Sequence, residues 1–425
     1  MKSLRIASLR LILPAASLLI FAAAATSNAA TLCVNPKGRN GCFSKINDAV
    51  AAASANDTIQ VANGTYKEDV IIGKPLSLVG ANRKRTVIDA TGLSNAVFVD
   101  GIDNPGLSNV IVTGFTLTNA TLEGILVANA SSVLVSDNDV TRNDQGLSSD
   151  CPGLPDYETN EGDDCGEGIH LLGADHSIVR NNLVERNSGG ILISDDTGAA
   201  SWNLITGNTV RKNPFDCGIT LASHAPAAIT GSPTPLGVTN NTVYGNVSTA
   251  NGLGAPGAGA GVGIFASIPG ANASGNSAIN NLLTDNGLPG VTMHSHTPGQ
   301  NLTNNLIVGN TISGNAADTD DAATSGPTGI NVYGVSPASG TIISGNNVSN
   351  ESLDIVVKTP AQIDAHFNNL IDKGVGVQNL TTGLEPPVNA TENYWGCPRG
   401  PGAKGCTSIS GPGGVLYIPF ATSPF

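Results

Sequence analysis

A short phrase, Asn-x-(Val, Ile or Leu)-x-x-Asn, returns again and again along this chain and leaves few folds open to it. It reads Asn138-Val140-Asn143, Asn182-Val184-Asn187, Asn208-Val210-Asn213, Asn241-Val243-Asn246, Asn281-Leu283-Asn286 and Asn310-Ile312-Asn315. A degenerate copy stands at Asn346-Val348, and an earlier one at Gly114-Leu117-Asn119 lacks its first asparagine. After each copy comes a glycine and an apolar residue: Gly124-Ile125, Gly146-Leu147, Gly190-Ile191, Gly218-Ile219, Gly263-Ile264, Gly290-Val291 and Gly329-Ile330. Such self-similarity marks a solenoid, in which each repeat buries its apolar side only by stacking on its neighbours. The shortest unit, Gly168 to Gly190, is 22 residues, too short for a pair of helices and right for three short strands joined by corners. Stacked strands lie roughly 4.8 Å apart, so equivalent residues fall into columns. The Ile, Val and Leu positions form the inward stack. The asparagines suit corners, because their side chains bond backbone and tolerate left-handed conformations, and stacked amides can pair from coil to coil.

Both ends of the chain fit this scheme. Between Phe43 and Ala55, the helical spacing of Ile46, Val50 and Ala53 predicts an amphipathic helix that covers the open first coil, whose edges and apolar cross-section need protection. The stretch DTIQVANGTYKEDVIIGKPLSLVGA, followed by TVIDA, then reads as opening coils, and Asn393-Tyr394-Trp395-Gly396-Cys397-Pro398-Arg399-Gly400-Pro401 as a closing segment. On these stretches and the repeats, nearly the whole mature chain resembles the right-handed parallel β-helix proteins of the pectate-lyase-like superfamily, including their Asn-rich carbohydrate-binding and sugar-hydrolase repeats. The resemblance implies an all-β fold: a single right-handed parallel β-helix with an N-terminal capping helix. It implies no single activity, because that scaffold carries lyases, hydrolases, epimerases, adhesins and accessory proteins. The expected organisation is a signal peptide over 1–29, a cap over 30–57, Asn-rich coils over 58–390 and a closing segment over 391–425.

Lys2, Arg5 and Arg10 precede an apolar run from Leu11 to Ala25, and Ser27 and Ala29 fit the positions before a cleavage site. This is the pattern of an export signal. The rival, an uncleaved anchor, suffers from the short run and from Pro14. No later segment is long enough to span a bilayer as a helix, and a monomer released outside the cytoplasm, in the periplasm or beyond, is expected. Seven cysteines suit an oxidising compartment. Cys33 and Cys42, Cys151 and Cys165, and Cys397 and Cys406 each enclose a short loop, so pairing by neighbours is the simplest connectivity, leaving Cys217 as a buried thiol. A zinc site is the rival for the six, but no Cys-x-x-Cys occurs. A net charge of −13 argues against nucleic acid. It also argues against an unassisted polyanion site, unless bound Ca²⁺ reverses the local sign.

Solenoids bind along a lateral face, so the polar residues that stack there matter most. With Ile169, Ile191, Ile219, Ile264, Val291 and Ile330 inward, strand alternation turns the neighbouring positions outward. Those are His170 and Leu172, Leu192 and Ser194, Thr220 and Ala222, Phe265 and Ser267, Thr292 and His294, and Asn331 and Tyr333. A corner column holds Asp196, His224 and His296, with Asp195 beside it. Four of the six histidines thus gather in or beside one strip.

Asp195, Asp196, His224, His294 and His296 are the catalytic candidates, and Asp195 and Asp196 are also candidate Ca²⁺ ligands. His170, Glu167, Thr220, Phe265 and Tyr333 are candidate substrate contacts. A His/Asp constellation can transfer protons or hold a metal. The insertion 151–165 adds Asp156, Glu158, Glu161, Asp163 and Asp164 as a wall, and Asp318, Asp320 and Asp321 form a second acidic corner. The bland reading is that corners are polar because water is there, and that Asp195-Asp196-Thr197-Gly198 is an ordinary turn.

The arginine base of pectate lyases has no counterpart in the strip, where Lys358 is the nearest cation, and the Gly-His-Gly of polygalacturonases is absent. Asp195 or Asp196 with Glu167 on the neighbouring coil suits either carboxylate spacing of the glycosidases. The reading that follows is an exported protein that binds extracellular polysaccharide along its lateral face, with lyase or hydrolase chemistry open. A metal-binding accessory protein, suggested by Met293-His294-Ser295-His296, and a bare surface scaffold are the alternatives.

Overall fold

The computed structural model describes residues 29–144, 154–159, 166–382 and 386–425. Among these residues the strands stack in parallel into three long sheets of 14, 11 and 12 strands, here A, B and C, with one short α-helix. A coil takes one strand from each sheet. Glu167–Leu172 lies in sheet C, Ile178–Arg180 in sheet A and Leu183–Glu185 in sheet B; Gly189–Ser194 then returns to sheet C beside Glu167–Leu172. This is the parallel β-helix expected from the repeats.

The core is a set of aliphatic columns. In sheet A the inward column runs Val112, Val135, Val179, Ile205, Val243, Ala278, Ile307 and Ile343, and in sheet B it includes Leu117, Val140, Val184 and Val210. All of these side chains are buried in a single cluster that runs the length of the solenoid. Met293 is part of it, level with Ile264 and Val332.

Asparagine amides run beside that core as three ladders. In the first, Asn138, Asn182, Asn208, Asn246, Asn281, Asn310, Asn346, Asn368 and Asn393 succeed one another from coil to coil. Each side-chain oxygen accepts the backbone N–H of the preceding asparagine, and nearly every amide also donates to the next, as Asn182 Nδ2 does to Asn208 Oδ1 at 3.0 Å. The second ladder runs from Asn143 through Asn187, Asn213, Asn251 and Asn286 to Asn315, and the third from Asn203 through Asn241 and Asn276 to Asn305.

The asparagines of one coil are therefore spaced by five residues twice over, as in Asn203, Asn208 and Asn213. The phrase Asn241-Val243-Asn246 spans the third and first ladders, whereas Asn208-Val210-Asn213 spans the first and second; the two copies are offset by one corner. Before each ladder asparagine the backbone turns left-handed, at Asn181 (φ 56°) and Arg186 (φ 58°), for example.

The N-terminal helix is Ile46–Ala52, shorter than its apolar spacing suggests, with Ile46, Ala49 and Val50 on the first coil. The Glu68 carboxylate accepts the N–H groups of Ile46 and Asn47 at 2.8 and 2.9 Å and so caps the N-terminal end of the helix. The strand Thr31–Val34 already pairs with Asp57–Val61 in sheet A, so the solenoid starts within the cap. At the other end, Ser408–Ser410 and Val415–Leu416 add to sheets C and A, and Trp395 closes the core. Cys33–Cys42 and Cys397–Cys406 are disulfides and Cys217 is a buried thiol. Cys151 and Cys165 lie outside the described residues, as do Glu161, Asp163, Asp164 and the N-terminal apolar run.

Candidate functional site

The outward face of sheet C presents two columns. One holds Leu126, His170, Leu192, Thr220, Gly263, Thr292 and Asn331; the other holds Leu172, Ser194, Ala222, Phe265, His294, Tyr333 and Lys358. One strand departs from the expected register. Val262, not Ile264, stands level with Ile219 and Val291. A two-residue shift keeps every side chain on its face, but it moves Phe265 away from Thr220 and Thr292 to a place beside His294. Continued one residue further, the same register puts Ser267 between His224 and His296. The expected strip thus divides into two groups, one over the strands from His170 to His224 and one on the strand of His294. Their nearest members, His224 and His296, stand two strand steps or about 10 Å apart.

The first group gathers around His170. Its Nε2 lies 2.8 Å from Ser194 Oγ, and its Nδ1 lies 3.8 Å from Glu123 Oε1 and 4.0 Å from Glu167 Oε2. Both glutamates are fully buried. Residues 154–159 lie across this part of the sheet. Tyr157 stacks on Phe98 with ring centroids 6.0 Å apart, and Glu158 joins Glu123 and His170, with ligand atoms of all three within 4.8 Å of one another. Next to it, Thr159 donates its N–H and its hydroxyl to Asp196 Oδ2, each at 3.0 Å, while Asp196 Oδ1 is 3.1 Å from His224 Nδ1.

These neighbours separate the acidities of the group. Burial pushes the Glu123 carboxyl up to about 8. Burial, then the nearby charge of Glu123, carries Glu158 well above the usual carboxylate range. Burial also opposes a charge on Asp196, but the adjacent His224 outweighs it and holds that carboxyl below the usual range.

Asp195 faces elsewhere. Its oxygens accept the Ser223 hydroxyl at 2.9 Å and the N–H groups of His224 at 2.7 Å, Leu236 at 2.9 Å and Gly237. Four donors tie this carboxylate into a corner. Every oxygen of Asp195 and Asp196 accepts a hydrogen bond, and the two carboxylates turn to different partners. That arrangement does not make a Ca²⁺ cradle, and we give Asp195 a structural role.

The second group is built on the strand Val291–Ser295. His294 and His296 stack with centroids 4.4 Å apart and planes 13° apart. Tyr333 leans on His294 at 4.3 Å, and Lys358 Nζ stands 4.8 Å above the Tyr333 ring. The acidic corner Asp318, Asp320 and Asp321 folds against these rings. Asp318 Oδ2 accepts from the Thr292 hydroxyl at 2.7 Å and from Asn331 Nδ2 at 2.9 Å, and lies 3.6 Å from His294 Nδ1. Burial opposes its charge, yet His294 and these donors hold the carboxyl below the usual range. A pocket of about 340 Å³ opens between Asp318–Asp320 and a wall of Phe215 and Pro256–Gly259, with Phe265 and His294 among its lining.

Glu123 was not among the sequence candidates. Its signal was the tripeptide Glu123-Gly124-Ile125, repeated one coil later as Glu167-Gly168-Ile169. Thr220 bonds to Asp216 at 3.2 Å and belongs to neither group.

Residues 95–267 match the family model described as right handed beta helix region. With the three parallel sheets, this gives the fold as a right-handed parallel β-helix. No curated protein matches it by sequence. Among solved structures it is similar to the DFA-IIIase of Arthrobacter chlorophenolicus A6 in complex with GF2, at 14% identity over 89% of this chain and 98% of that one, TM-score 0.53. It is similar too to the Dettilon tailspike protein gp208, at 12% identity over 89% and 68%, TM-score 0.54. An alginate lyase from Paenibacillus sp. str. FPU-7 shows 17% identity over 83% and 98%, TM-score 0.49. At such identities the likeness is one of fold.

Proposed function

We propose that this protein binds a polysaccharide across the outward columns of sheet C and acts on it by proton transfer in the pocket around His170. The observation that carries this is the opposed pair of acidities there. Burial favours the protonated form of Glu158, and the adjacent His224 favours the ionised form of Asp196. Neighbouring groups pushed apart in this way supply an acid and a base at one pH. Glu158 is the acid, and His224, with Nδ1 anchored on Asp196, is the base. Glu123, Glu167 and Ser194 position His170. The long lateral face of stacked strands suits an extended chain. The disulfides suit an oxidising, extracytoplasmic setting.

The acids on this face disfavour a polyuronate, and Lys358 is the single cation in the two columns. Neutral polysaccharide and hydrolysis are therefore the favoured combination. Incubation of the purified protein with neutral and uronate-containing polysaccharides separates the chemistries, since hydrolysis liberates reducing ends alone and elimination adds an unsaturated product absorbing in the ultraviolet. New reducing ends from a neutral glycan, lost in Glu158→Gln, are expected. Absence of both binding and product across the panel would overturn the proposal.

A further inference from the structure

The stacked histidines mark a second site, independent of the acid–base pocket. We propose that His294, His296 and Asp320 bind one divalent transition-metal ion, with zinc or copper the best match to the donor set, and that Asp321 orients the two imidazoles from behind. Strand alternation explains the pairing, because residues two apart at a strand end share a face. His294 Nδ1 and His296 Nε2 lie on the same edge of the stack, 3.8 and 3.6 Å from Asp320 Oδ2. Ligand atoms of the three residues all fall within 4.8 Å of one another. Metal–nitrogen and metal–oxygen bonds of about 2.0–2.2 Å in a tetrahedral site need ligand atoms roughly 3.4 Å apart. A closure of a few tenths of an ångström on the carboxylate edges, with the partly exposed His296 ring turning out of the parallel stack so that its lone pair converges with that of His294, brings them there. Asp320 and His296 are partly exposed, which leaves them room to move.

The opposite edge of the stack carries the second observation. His294 is 99% buried, yet its Nε2 makes no hydrogen bond. The atom facing it is Asp321 Oδ2, at 3.5 Å, and the same oxygen is 3.3 Å from His296 Nδ1. One carboxylate therefore receives the outer nitrogens of both rings while Asp320 sits at the inner nitrogens, where Asp318 Oδ2 also stands 3.6 Å from His294 Nδ1 and gives way to the metal on binding. Metal-bound imidazoles ordinarily hand their second N–H to a carboxylate in this way, which fixes tautomer and orientation. Asp321 reaches its place through a left-handed backbone, φ 48°, within the turn Asp320–Ala322. Three protein ligands leave a coordination position open. The neighbouring pocket of about 340 Å³, lined by His294 and Asp320, gives that position access to a small ligand.

The test uses the full mature chain without a histidine tag, stripped with a chelator and titrated calorimetrically with Zn²⁺ and Cu²⁺. One equivalent should bind, and Co²⁺ in the same site should give the visible absorption of a tetrahedral N/O environment. His296→Ala and Asp320→Asn should each weaken binding at least about tenfold. Asp321→Asn, which removes only the outer acceptor, should also cost about 10–100-fold. His176→Ala, at an exposed histidine remote from the stack, should change nothing, and neither should Glu158→Gln. Thermal melts of the metal-free variants verify that each one folds. No uptake by the parent chain, or uptake of one equivalent unchanged in both His296→Ala and Asp320→Asn, overturns the site and leaves the acid–base proposal standing.

Discussion

A ladder asparagine such as Asn208 answers for several buried groups at once. Its oxygen accepts the backbone N–H and the amide of Asn182, and its nitrogen donates to Val179 O and Asn246 Oδ1, at distances of 2.9–3.0 Å. Asn208→Ala removes all four bonds and strands the donors of Asn182 away from water. With about 1–3 kcal/mol for each buried group left unsatisfied, a loss of about 3–5 kcal/mol is expected in urea unfolding. At the end of the second ladder a glutamate replaces the asparagine. Glu351 Oε1 accepts the N–H and the amide of Asn315 at 2.9 and 3.0 Å, and burial pushes its carboxyl up to about 7. A carboxyl raised on folding favours the protonated form in the native state. Its stabilising effect is whole below about pH 4.5 and fades as pH rises through about 7. Glu123, raised to about 8, acts in the same sense. Stability should therefore fall between about pH 4.5 and 8, and Glu351→Gln, which keeps the acceptor oxygen, should flatten the lower part of that slope in melts taken across the range.

The elements hold together through register, and tight glycine positions guard it. A Cβ placed on Gly190 would lie 2.0 Å from Gly218 O and 2.5 Å from Val210 Cγ1, so the strand cannot accept a side chain without shifting. Gly190→Ala should cost about 1–3 kcal/mol, read as a lower urea midpoint with unchanged slope. The same elements show how far a sequence of this kind can be read. The solenoid, its inward aliphatic columns and the outward turn of His170, His294 and Tyr333 follow from period and alternation alone. The corner assignment of Asn241-Val243-Asn246 does not, because asparagines stand at all three corners with equal five-residue spacing, and the phrase looks alike wherever it begins. The strand at Val262–Ala266 is ambiguous for a related reason. Val262 and Ile264 are both β-branched and separated by a glycine, and the preceding loop through Pro256 and Gly259 removes any count of residues from the coil before.

At the scale of the molecule, the lateral face carries two chemically different places whose nearest histidines, His224 and His296, are about 10 Å apart along the stack. The histidines of both were legible as a strip, since register gathers residues far apart in sequence. Their partners were legible only as acids, in the strip, in the insertion 151–165 and in the corner Asp318, Asp320 and Asp321, and not as pairings with particular histidines. Glu158 arrives from a segment laid across the sheet, and Asp318, Asp320 and Asp321 arrive from a corner whose fold against His294 no periodicity encodes. Asp195 shows the converse: an acid beside the right column whose oxygens are taken by the Ser223 hydroxyl and by the backbone N–H groups of His224, Leu236 and Gly237.

The central claim concerns Glu158 and His224, and a pH–rate profile of polysaccharide turnover tests it most directly. With a protonated Glu158 as acid and His224 as base, the parent chain should give a bell-shaped profile. Its alkaline limb should reflect the raised pKa of Glu158 and should vanish in Glu158→Gln, together with about a 100-fold or greater loss of rate. A Glu158→Gln or His224→Ala protein that turns over the same glycan at the parental rate, with the same profile, would contradict the account.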